Sequence, residues 1–233
     1  MLGSATIHRL TGELIGTALL VFFGVGALLT SGGQGYVGAV ALLVTVTVVY
    51  WIFGGHFNPW ITFAAAIRGM LDWVTASAII VAQLIGGVVG ALLMWGVFGD
   101  QGVAGGLGVT RLAAEPSTVQ GIIAAILAET LAVFLLVCVV FAVGESDRLG
   151  FAMGLAYAAG TLAIFVVTAA SMNLARTLGP ELVQIVAIKL DGTRVMNWSA
   201  LSTTWVYLVS GALGASLAGL FYPAARRVKE APA

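Results

Sequence analysis

Six stretches of this chain run for about twenty residues each with almost no charge, near 10–30, 37–53, 73–96, 120–143, 150–170 and 202–222. At about 1.5 Å of rise per residue, a helix of that length crosses the hydrocarbon of a bilayer. No soluble core needs so much apolar surface. Of 233 residues, 60% are hydrophobic and 9% are charged, and the mean hydropathy is +1.07. The expected class is an all-α integral membrane protein, folded as a single transmembrane domain over 1–233. The formal net charge is zero, so nothing points to nucleic acid as a partner. Cys138 is the lone cysteine. It cannot form an intrachain disulfide and reads as a small buried residue. Glu13 lies in the first apolar stretch, which has no clear small-residue cleavage site and reads as a retained helix.

Two further segments are apolar but too short to span. Gly55-His56-Phe57-Asn58-Pro59-Trp60 and Ser171-Met172-Asn173-Leu174-Ala175-Arg176 each close an apolar run. Each opens a half-helix, the first of only about ten residues within about 54–68 and the second over about 173–183, whose N-terminal ends are expected to meet near the membrane midplane. Six spans put both termini on one side. That side carries Arg9, Arg68, Arg148, Arg226, Arg227 and Lys229, against Arg111, Lys189 and Arg194 on the other. The bias places both termini in the cytoplasm, with the chain in the plasma (inner) membrane. The basic tail, 223–233, is expected to be loose.

The chain also repeats itself. The segment from Gly12-Glu13-Leu14 resembles that from Ala128-Glu129-Thr130, and Glu13 precedes Asn58 by 45 residues as Glu129 precedes Asn173 by 44. Each half, about 10–100 and 120–222, holds three spans and a half-helix. Three is odd, so the halves enter from opposite sides as an inverted repeat. The competing explanation is chance similarity among Leu/Val/Ala-rich segments.

These motifs limit the chemistry. Asn is a favoured helix N-cap, and Pro suits the first turn, where its missing N–H has no partner anyway. Two helix N-termini meeting in lipid make the midplane hostile to cations and protons. The carboxamides of Asn58 and Asn173 then face the lumen and donate to a passing water or hydroxyl. The alternative is that each only caps its helix. Arg176 is costly in hydrocarbon, by at least about 2.5–3.5 kcal/mol. It belongs in a watery constriction held by backbone carbonyls, or else snorkels to headgroups. Glu13 and Glu129 are expected to accept hydrogen bonds from the irregular backbone before the half-helices; proton relay is the alternative. His56 is expected to contact backbone near a vestibule, since no ligand cluster for a metal surrounds it. No cofactor is indicated.

The paired motifs resemble the Asn-Pro-Ala boxes of the aquaporin (major intrinsic protein) family. The resemblance covers about residues 10–222 and includes the buried glutamates and Gln83 in the third span. It implies a homotetramer with one pore per subunit, passing water or small neutral solutes and excluding ions. By position it implies a selectivity filter of Gly38, Thr161, Ala170 and Arg176. The boxes depart from the family pattern, reading Asn58-Pro59-Trp60 and Asn173-Leu174-Ala175. Small filter residues imply a wide mouth, and with it glycerol-like solutes or metalloid acids. An inverted-repeat secondary transporter is the main alternative and a membrane enzyme the remote one. The first needs a coupling-ion site, and the second needs a nucleophile beside a base, which Ser171 lacks.

Overall fold

A computed structural model describes residues 4–112, 118–187, 192, 198 and 201–230, with backbone alone at 5 and 223–230. Glu115 and Pro116 of the Gly-rich loop, and Lys189, Asp191 and Arg194, lie outside the described residues. The first span is α1 (Ser4–Leu19), a π-turn over Leu20–Val25 and α2 (Gly26–Thr30). Then follow α3 (Gly35–Phe53), α4 (Pro59–Ile67), α5 (Trp73–Ala104), α6 (Val119–Val143), α7 (Leu149–Thr168), α8 (Leu174–Val186) and α9 (Leu201–Glu230). Among the described residues six helices are long and apolar enough to cross a membrane. The fold is all-helical. Helix α4, nine residues long, and α8, thirteen, are too short to do so.

The boundaries differ from expectation in several places, α1 for one beginning at Ser4. Helix α5 runs on to Ala104, broken at Gly99, whose φ of 52° only glycine takes easily. Helix α8 reaches Val186. Helix α9 continues to Glu230, so the basic tail is helical for most of its length rather than loose. The starts follow ordinary capping chemistry. Asp72 accepts from the Thr75 N–H at 2.9 Å, and Thr118 from the Gly121 N–H at 3.2 Å.

Packing runs both within and between the halves. Helix α1 lies on α5, α6 on α9 and α3 on α7. Each short helix packs on both halves: α4 on α9 and on α5, α8 on α5 and on α9. Close approach needs small residues, because lipid supplies no hydrophobic drive between helices and contact distance decides the gain. A methyl group built on Gly154 of α7 would lie 2.5 Å from the Leu43 carbonyl oxygen of α3, and one on Gly214 of α9 would lie 2.5 Å from that of Thr130 on α6. Outward faces stay apolar: Val40, Val44 and Val48 on α3, and Ile123, Leu127 and Leu131 on α6, are exposed at four-residue intervals. Cys138 is half-buried, not fully enclosed.

Gly154→Ala should destabilise the fold by about 1–3 kcal/mol, because a backbone carbonyl cannot give way. Gly96→Ala, with open space around it, should leave stability unchanged or slightly raised. Unfolding midpoints in detergent check both.

Candidate functional site: two capped helix ends at the midplane

Asn58 and Asn173 take nearly the same extended backbone, φ −153° with ψ 118° and 115°. That geometry turns each side-chain oxygen onto the first turn of its own helix. Asn58 Oδ1 accepts from the Trp60 N–H at 2.9 Å. Asn173 Oδ1 accepts from the Ala175 N–H at 3.0 Å and the Arg176 N–H at 3.4 Å. Pro59 occupies the first helical position of α4; in α8 Leu174 stands there, buried.

Reaching this geometry forces the preceding residues into the left-handed region, with φ 51° at both Phe57 and Met172. A bulky residue there costs on the order of 1–3 kcal/mol. Two buried carboxylates hold the strain. Glu13 accepts from the N–H groups of His56 at 2.9 Å and Phe57 at 2.8 Å. Glu129 accepts from those of Ser171 and Met172, both at 2.8 Å. Gln83 Nε2 donates to Glu13 at 2.8 Å and to Thr62 Oγ1 at 2.9 Å; the Thr168 hydroxyl donates to Glu129 at 2.6 Å. His56 meets a side chain rather than backbone through its ring, with Nδ1 2.9 Å from Thr62 Oγ1.

The two ends are tied reciprocally. Asn58 Nδ2 donates to the Met172 carbonyl at 2.8 Å, and Asn173 Nδ2 donates to the Phe57 carbonyl at 2.8 Å. The second hydrogen of each amide does not face open lumen. Asn58 Nδ2 donates to the Tyr157 hydroxyl at 2.7 Å and Asn173 Nδ2 to the same oxygen at 3.2 Å. Both asparagines are 0% exposed and Tyr157 is 2% exposed, so no water-sized sphere reaches either carboxamide. Sequence reasoning puts a passing solute here; the structure puts a phenol.

A cavity of about 490 Å³ opens on one side of this junction, lined by Arg9, His56, Arg68 and Glu145 among others. There the Arg68 guanidinium lies 4.6 Å over the Phe141 ring and 5.2 Å over that of Tyr222. A second cavity of about 370 Å³ is lined by Leu28, Leu29, Gly108, Arg111, Phe165, Ala169 and Arg176. The two share no lining residue. Arg176 sits in the second, donating to the Gly108 carbonyl at 2.7 Å and toward that of Ala169 at 3.5 Å.

Of the other three expected filter positions, none lines that cavity. Gly38 is filled from outside: a methyl there would lie 2.6 Å from Leu28 Cδ2. Space left by a missing side chain on α3 is taken by one from α2, and Phe165 occupies the same mouth. At Gly38, the room left by a missing side chain is therefore taken up by Leu28. Ala170 is buried, with its N–H on Thr168 Oγ1 at 3.2 Å. Thr161 is buried with its hydroxyl unpartnered.

Trp60 is accommodated by a second departure. Its indole lies where a side chain on Gly211 of α9 would stand. In the other half, Ala175 presses its carbonyl on Gly87 of α5. Sequence reasoning missed Leu28, Phe165, Thr62 and Tyr157. The last had a signal: Tyr157, Thr161 and Phe165 are four residues apart and share one face of α7.

The profile of a family described as major intrinsic protein matches residues 3–222 of the chain. Glycerol uptake facilitator protein-like 6 of Lactiplantibacillus plantarum is 31% identical over 221 residues, covering 91% of this chain and 95% of that protein. Aquaporin TIP2-1 of Zea mays is 32% identical over 240 residues, covering 94% and 87%. The X-ray structure of the aquaglyceroporin from Plasmodium falciparum matches with a TM-score of 0.80 at 20% identity, covering 97% of this chain and 100% of that one. At that identity the likeness is one of fold.

The Trp60–Gly211 fit should appear as coupling. Gly211→Ala alone should cost about 1–3 kcal/mol and Trp60→Ala alone about 3–5 kcal/mol. The double variant should fall short of their sum by at least about 1 kcal/mol, read from unfolding in detergent.

Proposed function

Since this chain belongs to the major intrinsic protein family, we propose that it is a passive channel letting water or a small uncharged solute such as glycerol cross a membrane down its gradient. It is a multi-pass membrane protein and not an enzyme. The observation that carries the reading is the reciprocal tie between the two asparagine-capped helix ends. Each end carries roughly half a positive charge. Set tip to tip, they oppose any cation at the midplane while leaving neutral molecules unpenalised.

Arg176 adds a full positive charge at one mouth, held by carbonyls without a carboxylate bonded to it in the described residues. Thr161 Oγ1 and Arg176 Nε are buried without a protein partner, which suits hydrogen bonds to a polar solute. We take Arg176 and Thr161 as the polar side of the filter, with Ala170 beside them and Gly38 giving room to Leu28. The remaining box residues, Pro59, Trp60, Leu174 and Ala175, shape the helix starts. Glu13 and Glu129 each accept two backbone N–H groups. They are structural, which favours a channel over an ion-coupled transporter. The same reading has the inverted halves at about 10–100 and 120–222, four copies assembled in a plasma membrane, and both termini cytoplasmic.

Stopped-flow light scattering of proteoliposomes with water, glycerol, urea and a metalloid acid side by side tests this. Linear flux, indifferent to ion gradients, is expected; dependence on an ion gradient would instead mark a transporter. Arg176→Ala should keep solute flux but admit cations or protons, and unchanged cation exclusion would remove Arg176 from the filter.

A further inference from the structure

Four amide hydrogens are available at the midplane, two on each asparagine. Two serve the backbone carbonyls of Met172 and Phe57, and two converge on the Tyr157 oxygen. None is left for a solute. The hydroxyl thus stands at the point where the two caps would hold a water or an alcohol, and it offers the same group: an oxygen accepting from both amides. Its ring fills the approach from α7. The opposite approach is not matched. Sixteen residues before Asn173 is Tyr157, and sixteen before Asn58 is Leu42, an apolar residue that packs against Gly24. One half of the repeat supplies the plug and the other supplies none.

We propose that Tyr157 is the residue that closes this pore at its centre and determines what crosses it, its hydroxyl being a resident stand-in for the translocated hydroxyl compound. Conduction requires the phenol to leave both carboxamides, and a solute rich in hydroxyl groups replaces it with the least loss of hydrogen bonding. The inference rests on the channel reading above, and the two fail differently.

The test compares the full chain with Tyr157→Val and Tyr157→Phe in proteoliposomes of equal protein content, by stopped-flow with water and glycerol. Tyr157→Val, which clears the ring, should raise water permeability per copy by about tenfold or more, since a latch of two hydrogen bonds then no longer biases the closed state. Tyr157→Phe keeps the bulk and deletes the acceptor, and should give a smaller rise of a few fold. It also serves where the valine variant does not fold, because it occupies the same space. Wild-type flux matched by both folded variants would overturn the proposal and leave the channel standing. Phenylalanine flux equal to wild type, with a valine variant that does not fold, would overturn it equally. No flux of either solute through any of the three would overturn the channel reading and this one together.

Discussion

Everything at the centre of this protein depends on keeping backbone N–H groups satisfied where neither water nor a helix can do it. Each chain entry into a short helix leaves two such groups pointing into a dry interior, and an unsatisfied polar group there costs several kcal/mol. Glu13 and Glu129 answer both, one carboxylate per half, with 2.8–2.9 Å contacts. Because the carboxylates are fixed in α1 and α6, the strained turns at Phe57 and Met172 are fixed too. The caps that follow are therefore placed accurately enough to reach across to one another. A loop of ordinary flexibility could not hold two helix tips in that register.

The halves are alike in backbone and unlike in filling. Both use the same turn, the same cap and the same glutamate. They differ where side chains meet. On one side an indole fits against Gly211; on the other a bare Ala175 carbonyl meets Gly87. Leu42 holds the position in the first half that Tyr157 holds in the second. Symmetry builds the frame, and the departures from it decide which parts of the lumen are open. The empty space that small residues imply on paper is a property of the neighbourhood, not of the residue. Gly38 shows this, since Leu28 takes its room.

Much of the frame was legible in the chain itself. Apolar length identified six crossings, because a helix in lipid must be long enough to span and has few other choices. The recurrence of glutamate and asparagine at 45 and 44 residues exposed the repeat. Polar residues inside apolar runs stand out, and so Glu13, Glu129, Arg176 and the asparagines were easy to single out. Tyr157 was not, since a tyrosine in an aromatic-containing span looks like packing. Leu28 and Phe165 were invisible for the same reason.

Alone, the sequence determined the class of solvent the chain lives in, the number of crossings and the two points where a helix begins inside the membrane. These follow from transfer free energies and local capping, which act residue by residue. Only the tertiary structure decided what occupies the space between the caps. That outcome turns on the Tyr157 hydroxyl of α7 reaching both caps within about 3 Å, the length of a hydrogen bond, and no local rule fixes it.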